Sequence, residues 1–214
     1  MKKSMKALLI ALCAVLLVAG SIFGTLAYLT STDAVTNTFT VGKVEITLDE
    51  AKVDKYGKPL DSSGNVVTDI AAAARVDANE YKLIPGHEYT KDPTVTVKAD
   101  SEECYVFVKV INGLGSDATL TISSDWTALS GVDNVYCYKE KVATSSSDTK
   151  LTSVFTKFTL GATVDVSTYA TNTDGKVVES SSSTDLKKIS VDAYAVQADG
   201  FSSAAAAWTA ANFS

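Results

Sequence analysis

The sequence predicts an all-β fold, a jelly-roll-like antiparallel β-sandwich with one or two short helices, preceded by an N-terminal signal helix. Three observations indicate this fold class. Short segments alternate apolar and polar residues with the two-residue period of a strand. Threonine, valine and tyrosine dominate these segments, and β-branched and aromatic side chains fit a pleated surface. Turn-forming Gly, Asp, Asn and Ser separate them, which is typical of a sandwich rather than of βαβ units.

Seven segments carry the strand pattern. The first places Val44, Ile46 and Leu48 on one face. Residues 104–111 are apolar at nearly every position, as expected of a central strand covered on both faces. The predicted strands are residues 39–48, 94–98, 104–111, 118–122, 135–138, 154–160 and 186–196.

Two alanine-rich stretches predict short helices, residues 69–75 and residues 202–211. The second begins after a serine, a favoured N-cap, and carries one large anchor, Trp208, which we expect to pack against the sheet edge. Polar, turn-rich composition predicts three loops, and these are residues 55–68, 144–148 and 171–184.

The N-terminus has the pattern of a secretory signal peptide. Three lysines lie in the first six residues, an apolar run follows over residues 7–18, and small residues lead to Ala27. An uncleaved membrane anchor is the alternative, because the uncharged run extends to Leu29. We therefore predict a signal peptide over residues 1–27 and a single β-sandwich domain over residues 28–214, since no fixed-period repeat or internal boundary is visible.

Charge excludes several classes of partner. The chain of 214 residues has a net charge of −6. Without residues 1–27 it keeps 16 basic residues against 25 acidic ones, a net charge of −9. An acidic surface repels phosphate backbones and anionic lipids, so we expect no nucleic-acid partner and membrane contact only through an uncleaved leader.

The residues around the cleavage site resemble a known family. Gly24-Thr-Leu-Ala-Tyr-Leu-Thr-Ser-Thr-Asp33, followed by Val35-Thr-Asn-Thr-Phe-Thr-Val-Gly42, resembles the leader read by a SipW-type signal peptidase. It is similar to the start of the TasA and camelysin (CalY) family of biofilm-matrix and cell-surface proteins of Gram-positive bacteria. Residues 83–95 and 193–201 also resemble exported relatives with this leader. The resemblance implies a jelly-roll-like fold and cleavage between Ala27 and Tyr28.

These residues lead to a structural function outside the cell. Residues 28–40 form an extended, threonine-rich segment of high β-propensity that could add as a donor strand to a sheet edge of another copy. The resemblance implies the same mode of assembly. We expect a secreted protein of the extracellular matrix or cell surface, a fibre subunit or accessory that associates with itself or with related matrix subunits. The inserting residues would be Tyr28, Leu29, Val35 and Phe39.

Two other functions are weighed against this one. A monomeric surface adhesin would bind a ligand through the polar loops 55–68 and 171–184. An enzyme is disfavoured because the chain has one histidine, His87, which cannot supply a zinc site or a Ser-His-Asp triad. No glycine-rich phosphate loop is present either. We therefore expect no catalytic residue, no cofactor and no metal site.

Three further groups of residues leave alternatives open. Cys104 and Cys137 could form one disulfide in an exported domain, or both could be small buried hydrophobic residues. The acidic clusters could be solvated loops or could bind calcium, and they are Asp49, Glu50 and Asp54, residues 100–103, and Asp174 with Glu179. Tyrosines at the surface could line a sugar-binding face, and these are Tyr81, Tyr89 and Tyr169.

Overall fold

The computed structural model of the protein describes residues 43–143, 145–166 and 188–213. Within these ranges every strand pairing is antiparallel, and one α-helix follows the last strand. The strands are β1 Ile46–Ala51, β2 Arg75–Val76, β3 Glu88–Thr90, β4 Thr94–Val97, β5 Cys104–Asn112, β6 Ala118–Leu120, β7 Trp126–Ala128, β8 Val135–Tyr138, β9 Thr149–Lys150, β10 Lys157–Leu160 and β11 Ile189–Gln197. The predicted all-β antiparallel fold class is confirmed.

The strands form three sheets. Sheet A has the order β2-β1-β4-β9, sheet B the order β11-β5-β8-β7, and sheet C the order β3-β10-β6. Apolar side chains of sheets A and B meet in one core, which contains Val95 and Val97 of β4 and Val106 and Val108 of β5. Trp126 closes this core, and its indole Nε1–H donates to the Thr152 carbonyl at 2.9 Å. Sheets A and B are therefore the two layers of the sandwich.

The central strand is β5, as its sequence predicted. Val106, Val108 and Val110 point into the core shared with sheet A, while Tyr105 and Phe107 point to the opposite face. All five side chains are buried. A strand can be apolar on both faces only when both are covered, and here a sheet covers one and a helix the other.

The helix α1, Ala204–Ala211, covers the outer face of sheet B. The Ser203 hydroxyl accepts a hydrogen bond from the Ala206 amide at the helix N-terminus, as the serine start signal predicted. Trp208 contacts Phe107 and Tyr194, with ring centroids 5.2 Å and 5.5 Å away. The helix is confirmed, but Trp208 packs on the face of the sheet rather than at its edge.

The other predicted helix is wrong in length. Residues 70–72 form a single 3₁₀ turn capped by the Asp69 side chain, and the chain then enters β2 at Arg75. An isolated alanine run of this size is too short for its hydrogen bonds to offset the free-energy cost of helix nucleation. Pairing of Arg75 and Val76 with β1 determines the conformation instead.

Several strand boundaries differ from the predicted ones by one or more residues. Strand β1 begins at Ile46, and residues 39–42 of the first predicted strand lie outside the described ranges. Strand β10 covers Lys157–Leu160, because Val154 and Phe155 are buried as irregular chain. The short strands β2, β3, β7 and β9 were not predicted, since two or three residues carry too little alternation to detect.

The predicted loop 55–68 contains the same turn twice. Asp54 and Asp61 each accept hydrogen bonds through Oδ1 from the amides two and four residues on, at 2.9 Å in all four cases. Each turn ends on a glycine with a left-handed backbone, Gly57 at φ +83° and Gly64 at φ +86°. An aspartate that bonds its own following amides fixes a tight turn, so this loop is ordered by local chemistry.

The duplicated turn provides a matched pair of substitutions. A Cβ at Gly57 would lie 2.9 Å from the Tyr89 Cα, whereas a Cβ at Gly64 would meet nothing within 4 Å. Gly64→Ala should cost about 1–2 kcal/mol of unfolding free energy for the left-handed backbone alone. Gly57→Ala should lose about 1–3 kcal/mol more through the clash. Urea unfolding of both variants measures the difference, and equal losses would contradict the close packing of Gly57 on β3.

Candidate functional site

The outer edge of β11 is the longest strand edge in the described part of the chain. All nine residues of β11 pair with β5, from Ile189 opposite Asn112 to Gln197 opposite Cys104. Among the described residues, β5 is the one strand hydrogen-bonded to β11. Each residue of β11 is partly or fully exposed, whereas six of the nine residues of its neighbour β5 are buried. Strand β11 is therefore apolar in sequence but only half covered.

Strand β1 lies beside β11 and offers a second edge. Its partner β2 pairs with Glu50 and Ala51, so Ile46–Asp49 have a strand on one side within the described residues, namely β4. Partly buried apolar side chains from both strands pack on the sandwich core, and they are Val44, Ile46, Leu48, Val191, Ala193 and Ala195. We call this surface the β1–β11 edge.

The residues predicted to insert as a donor strand lie outside the described residues. This applies to Tyr28, Leu29, Val35 and Phe39, and to the cleavage site between Ala27 and Tyr28. Residues 171–184, one of the two loops of the adhesin alternative, also lie outside them. The β1–β11 edge, by contrast, lies within the described residues.

The structure does not bring the two cysteines together. Cys104 faces the sandwich core, whereas Cys137 is opposite Phe107 in the β5–β8 pairing and faces the helix. Both thiols are free and buried. The disulfide alternative does not apply to this fold, because the two side chains point to opposite faces of sheet B.

His87 and the tyrosines have structural positions. The His87 Nε2–H donates to the Tyr56 carbonyl at 2.9 Å and its ring packs edge-on against Tyr89, which ties the duplicated turn to β3. Tyr89 is fully buried, and Tyr81 packs against both Tyr89 and Phe158. The sugar-binding interpretation of Tyr81 and Tyr89 is therefore wrong, and Tyr169 lies outside the described residues.

The acidic clusters are dispersed among protein partners. Asp54 accepts the backbone amides of its own turn, and the Glu103 carboxylate pairs with Lys141 Nζ at 3.6 Å. Asp49 and Glu50 form ion pairs with Arg75 and Lys91. Asp174 and Glu179 lie outside the described residues. In the described ranges no three His, Cys, Asp or Glu side chains are grouped as a metal site would require.

A largely buried charge cluster that was not predicted lies at the end of β1, and it is formed by Asp49, Glu50, Arg75, Asn79, Lys91 and Asp92. Arg75 bridges two carboxylates, at 2.9 Å from Nε to Asp49 Oδ1 and 2.6 Å from Nη1 to Asp92 Oδ2. Burial opposes the charge of Arg75, but the bonds to Asp92 and Asp49 outweigh it and raise the pKa of the guanidinium. Asp92 Oδ1 also accepts the Ala51 amide at 2.6 Å.

The deepest part of this cluster is the Glu50 carboxylate. Glu50 is 3% exposed and accepts from Lys91 Nζ at 2.5 Å and from Asn79 Nδ2 at 2.9 Å. Burial, followed by the negative charges of Glu50 and Asp92, raises the pKa of Tyr81 well above its ordinary value. In the sequence, Asp49 and Glu50 have the character of a solvated acidic cluster. Their partners Arg75, Asn79 and Lys91 are distant in sequence, so no local pattern identifies the site.

The chain was compared with known protein families, curated proteins and solved structures. No model of a known protein family, no curated protein and no solved structure matches it. Across the described residues, no helix combines the length and the apolar character needed to cross a membrane.

The placement of the cysteines generates a test. Burial raises the pKa of both thiols to about 11, with the charge of Glu103 adding to the effect at Cys104. Each thiol should therefore stay protonated and shielded at about pH 8, where an ordinary cysteine is partly ionised. A maleimide reagent should leave Cys104 and Cys137 unmodified in the native protein and label both after unfolding without reductant. Unfolded protein with no reactive thiol at these positions would contradict the structure.

Proposed function

We propose that the mature chain is a secreted structural protein of the extracellular matrix or cell surface that assembles by N-terminal strand exchange. Residues 28–40 of one copy pair with the β1–β11 edge of the next. The observation that carries the proposal is the half-covered edge strand β11, nine residues long and apolar on its core-facing side from Ile189 to Ala195. Such an edge is a template for another strand.

The edge offers both parts of a strand-addition site. Main-chain N–H and C=O groups along an edge strand provide affinity without regard to sequence. The partly buried side chains of Val191, Ala193 and Ala195 provide an apolar floor continuous with the sandwich core. An added strand would gain hydrogen bonds from the edge and hydrophobic burial from the floor.

The donor segment has a matching pattern. Leu29, Val35 and Phe39 are all at odd positions, so an extended chain places them on one face. The intervening odd residues are Ser31, Asp33 and Asn37, and the segment of thirteen residues is long enough for the nine-residue edge. Donor and acceptor are different surfaces of one chain, so repeated contact is heterologous and builds a filament.

The export route is part of the proposal. The leader would be removed by a SipW-type signal peptidase between Ala27 and Tyr28, which would place the donor segment at the new N-terminus. Its support is the basic, apolar and small-residue pattern of residues 1–27 and the resemblance of the sequence around the cleavage site to the TasA and camelysin family.

Assembly of the mature chain tests the proposal. The chain beginning at Tyr28 should form filaments as its concentration rises, whereas a chain lacking residues 28–38 should stay monomeric. Light scattering and electron microscopy of the two forms make the comparison. Similar behaviour of both would contradict strand exchange, and a stable monomer that binds a ligand would favour the adhesin alternative.

A matched pair of substitutions tests which face of the donor inserts. Val35→Asp places a charge on the face with Leu29 and Phe39, and should raise the concentration needed for assembly about tenfold or more, since burying a valine contributes about 1.5–3 kcal/mol. Thr36→Asp adds the same charge on the other face and should change this concentration much less. Equal effects of the two would rule out the proposed face.

A further inference from the structure

A lysine, an asparagine and a carboxylate meet in the interior of the buried charge cluster. Lys91 Nζ and Asn79 Nδ2 bind the two different oxygens of Glu50, at 2.5 Å to Oε2 and 2.9 Å to Oε1. The side chains of Lys91 and Glu50 are 12% and 4% exposed. One buried carboxylate thus holds a primary amine beside a carboxamide.

We propose that these three residues form an intramolecular isopeptide bond between Lys91 and Asn79, with Glu50 as the proton carrier. The Lys91 ammonium gives one proton to Glu50, and its neutral Nζ attacks the Asn79 Cγ. Glu50 passes that proton to Nδ2 and takes a second proton from Nζ. The Cγ–Nδ2 bond breaks, one ammonia leaves, and Nζ is joined to Cγ by an amide. No oxidant, metal or other reactant is needed.

The asparagine is oriented for this reaction. Its Oδ1 accepts the Val53 amide at 2.8 Å, and its Nδ2 donates to the Ala51 carbonyl at 2.8 Å as well as to Glu50. The Val53 N–H lies where negative charge develops on Oδ1 as Nζ attacks, which is the role of an oxyanion donor. The leaving nitrogen already contacts the carboxyl group that must protonate it.

The low exposure of the site favours the reaction over a permanent ion pair. Burying an ammonium and a carboxylate carries a large desolvation penalty that their mutual attraction has to offset. Proton transfer to Glu50 removes both charges, and it supplies the neutral amine that a nucleophilic lysine requires. Bond formation then makes the loss of the lysine charge permanent, while Arg75 keeps Asp49 and Asp92 as partners.

The bond would close the chain segment between residues 79 and 91. This segment carries Tyr81, Tyr89 and strand β3, so it connects sheet A to sheet C. The residues involved do not belong to the β1–β11 edge or to the donor segment. The inference is therefore independent of the proposed assembly, and either can fail without the other.

Peptide mass mapping of the full chain tests the bond directly. Trypsin cuts after Arg75, Lys82 and Lys98, and it cannot cut after an acylated Lys91. We expect residues 76–82 joined to residues 83–98, with a mass lower than the sum of the two peptides by one ammonia. Free peptides 76–82 and 83–91 in the folded protein would overturn the proposal.

Variants separate the reaction from a structural ion pair. Glu50→Gln keeps the size of the side chain but cannot carry the protons, and Lys91→Arg keeps the positive charge but removes the amine. Both should lose the linked peptide, while Lys82→Arg, which keeps the trypsin site, should retain it. If Glu50→Gln does not fold, Glu50→Asp serves instead and should link more slowly on refolding. A linked peptide formed at the normal rate in the Glu50 variant that folds would exclude the carboxylate from the reaction.

Discussion

The need to cover both faces of β5 organises the described part of the molecule. Its side chains alternate between two apolar sets, so neither face can be left to water. Sheet A covers the valine face and α1 covers the aromatic face. The same requirement extends to β11, which pairs with β5 along nine residues and continues both sets. Strand β11 is covered less completely than β5, because it lies at the end of sheet B and each of its residues keeps part of its surface exposed.

The charged residues of the interior follow a different rule. Burial of an ionised group is tolerated only with partners, and each buried side-chain nitrogen or oxygen in the described ranges has one. Arg75 satisfies this rule with a fixed fork between Asp49 and Asp92, and it holds β2 against β1. Glu50 satisfies it with the Lys91 ammonium and the Asn79 side-chain amide. One strand residue, Glu50, and two loop residues, Asn79 and Lys91, thus meet although they are distant in sequence.

Much of the architecture is visible in the sequence, and the reasons differ between elements. The nine-residue β5 was predictable because a strand this apolar is stable only in the interior of a sheet that is covered on both faces. Helix α1 was predictable because Ser203 favours a helix start and the alanines after it favour helix. The two-residue strands β2 and β9 exist through pairing with distant residues, which no local pattern reports. The charge cluster escaped prediction for the same reason, since Glu50, Asn79 and Lys91 come from three separate parts of the chain. The opposite faces of Cys104 and Cys137 depend on the register between β5 and β8, which the sequence leaves undetermined.

The two tryptophans of the chain lie on opposite sides of sheet B, Trp126 in the sandwich core and Trp208 beneath the helix. Each layer consequently contains its own intrinsic fluorophore. Replacing one tryptophan by phenylalanine leaves an emission signal that comes from a single layer. Loosening of the helical layer can then be followed optically while the sandwich stays intact, without attaching any label to the protein.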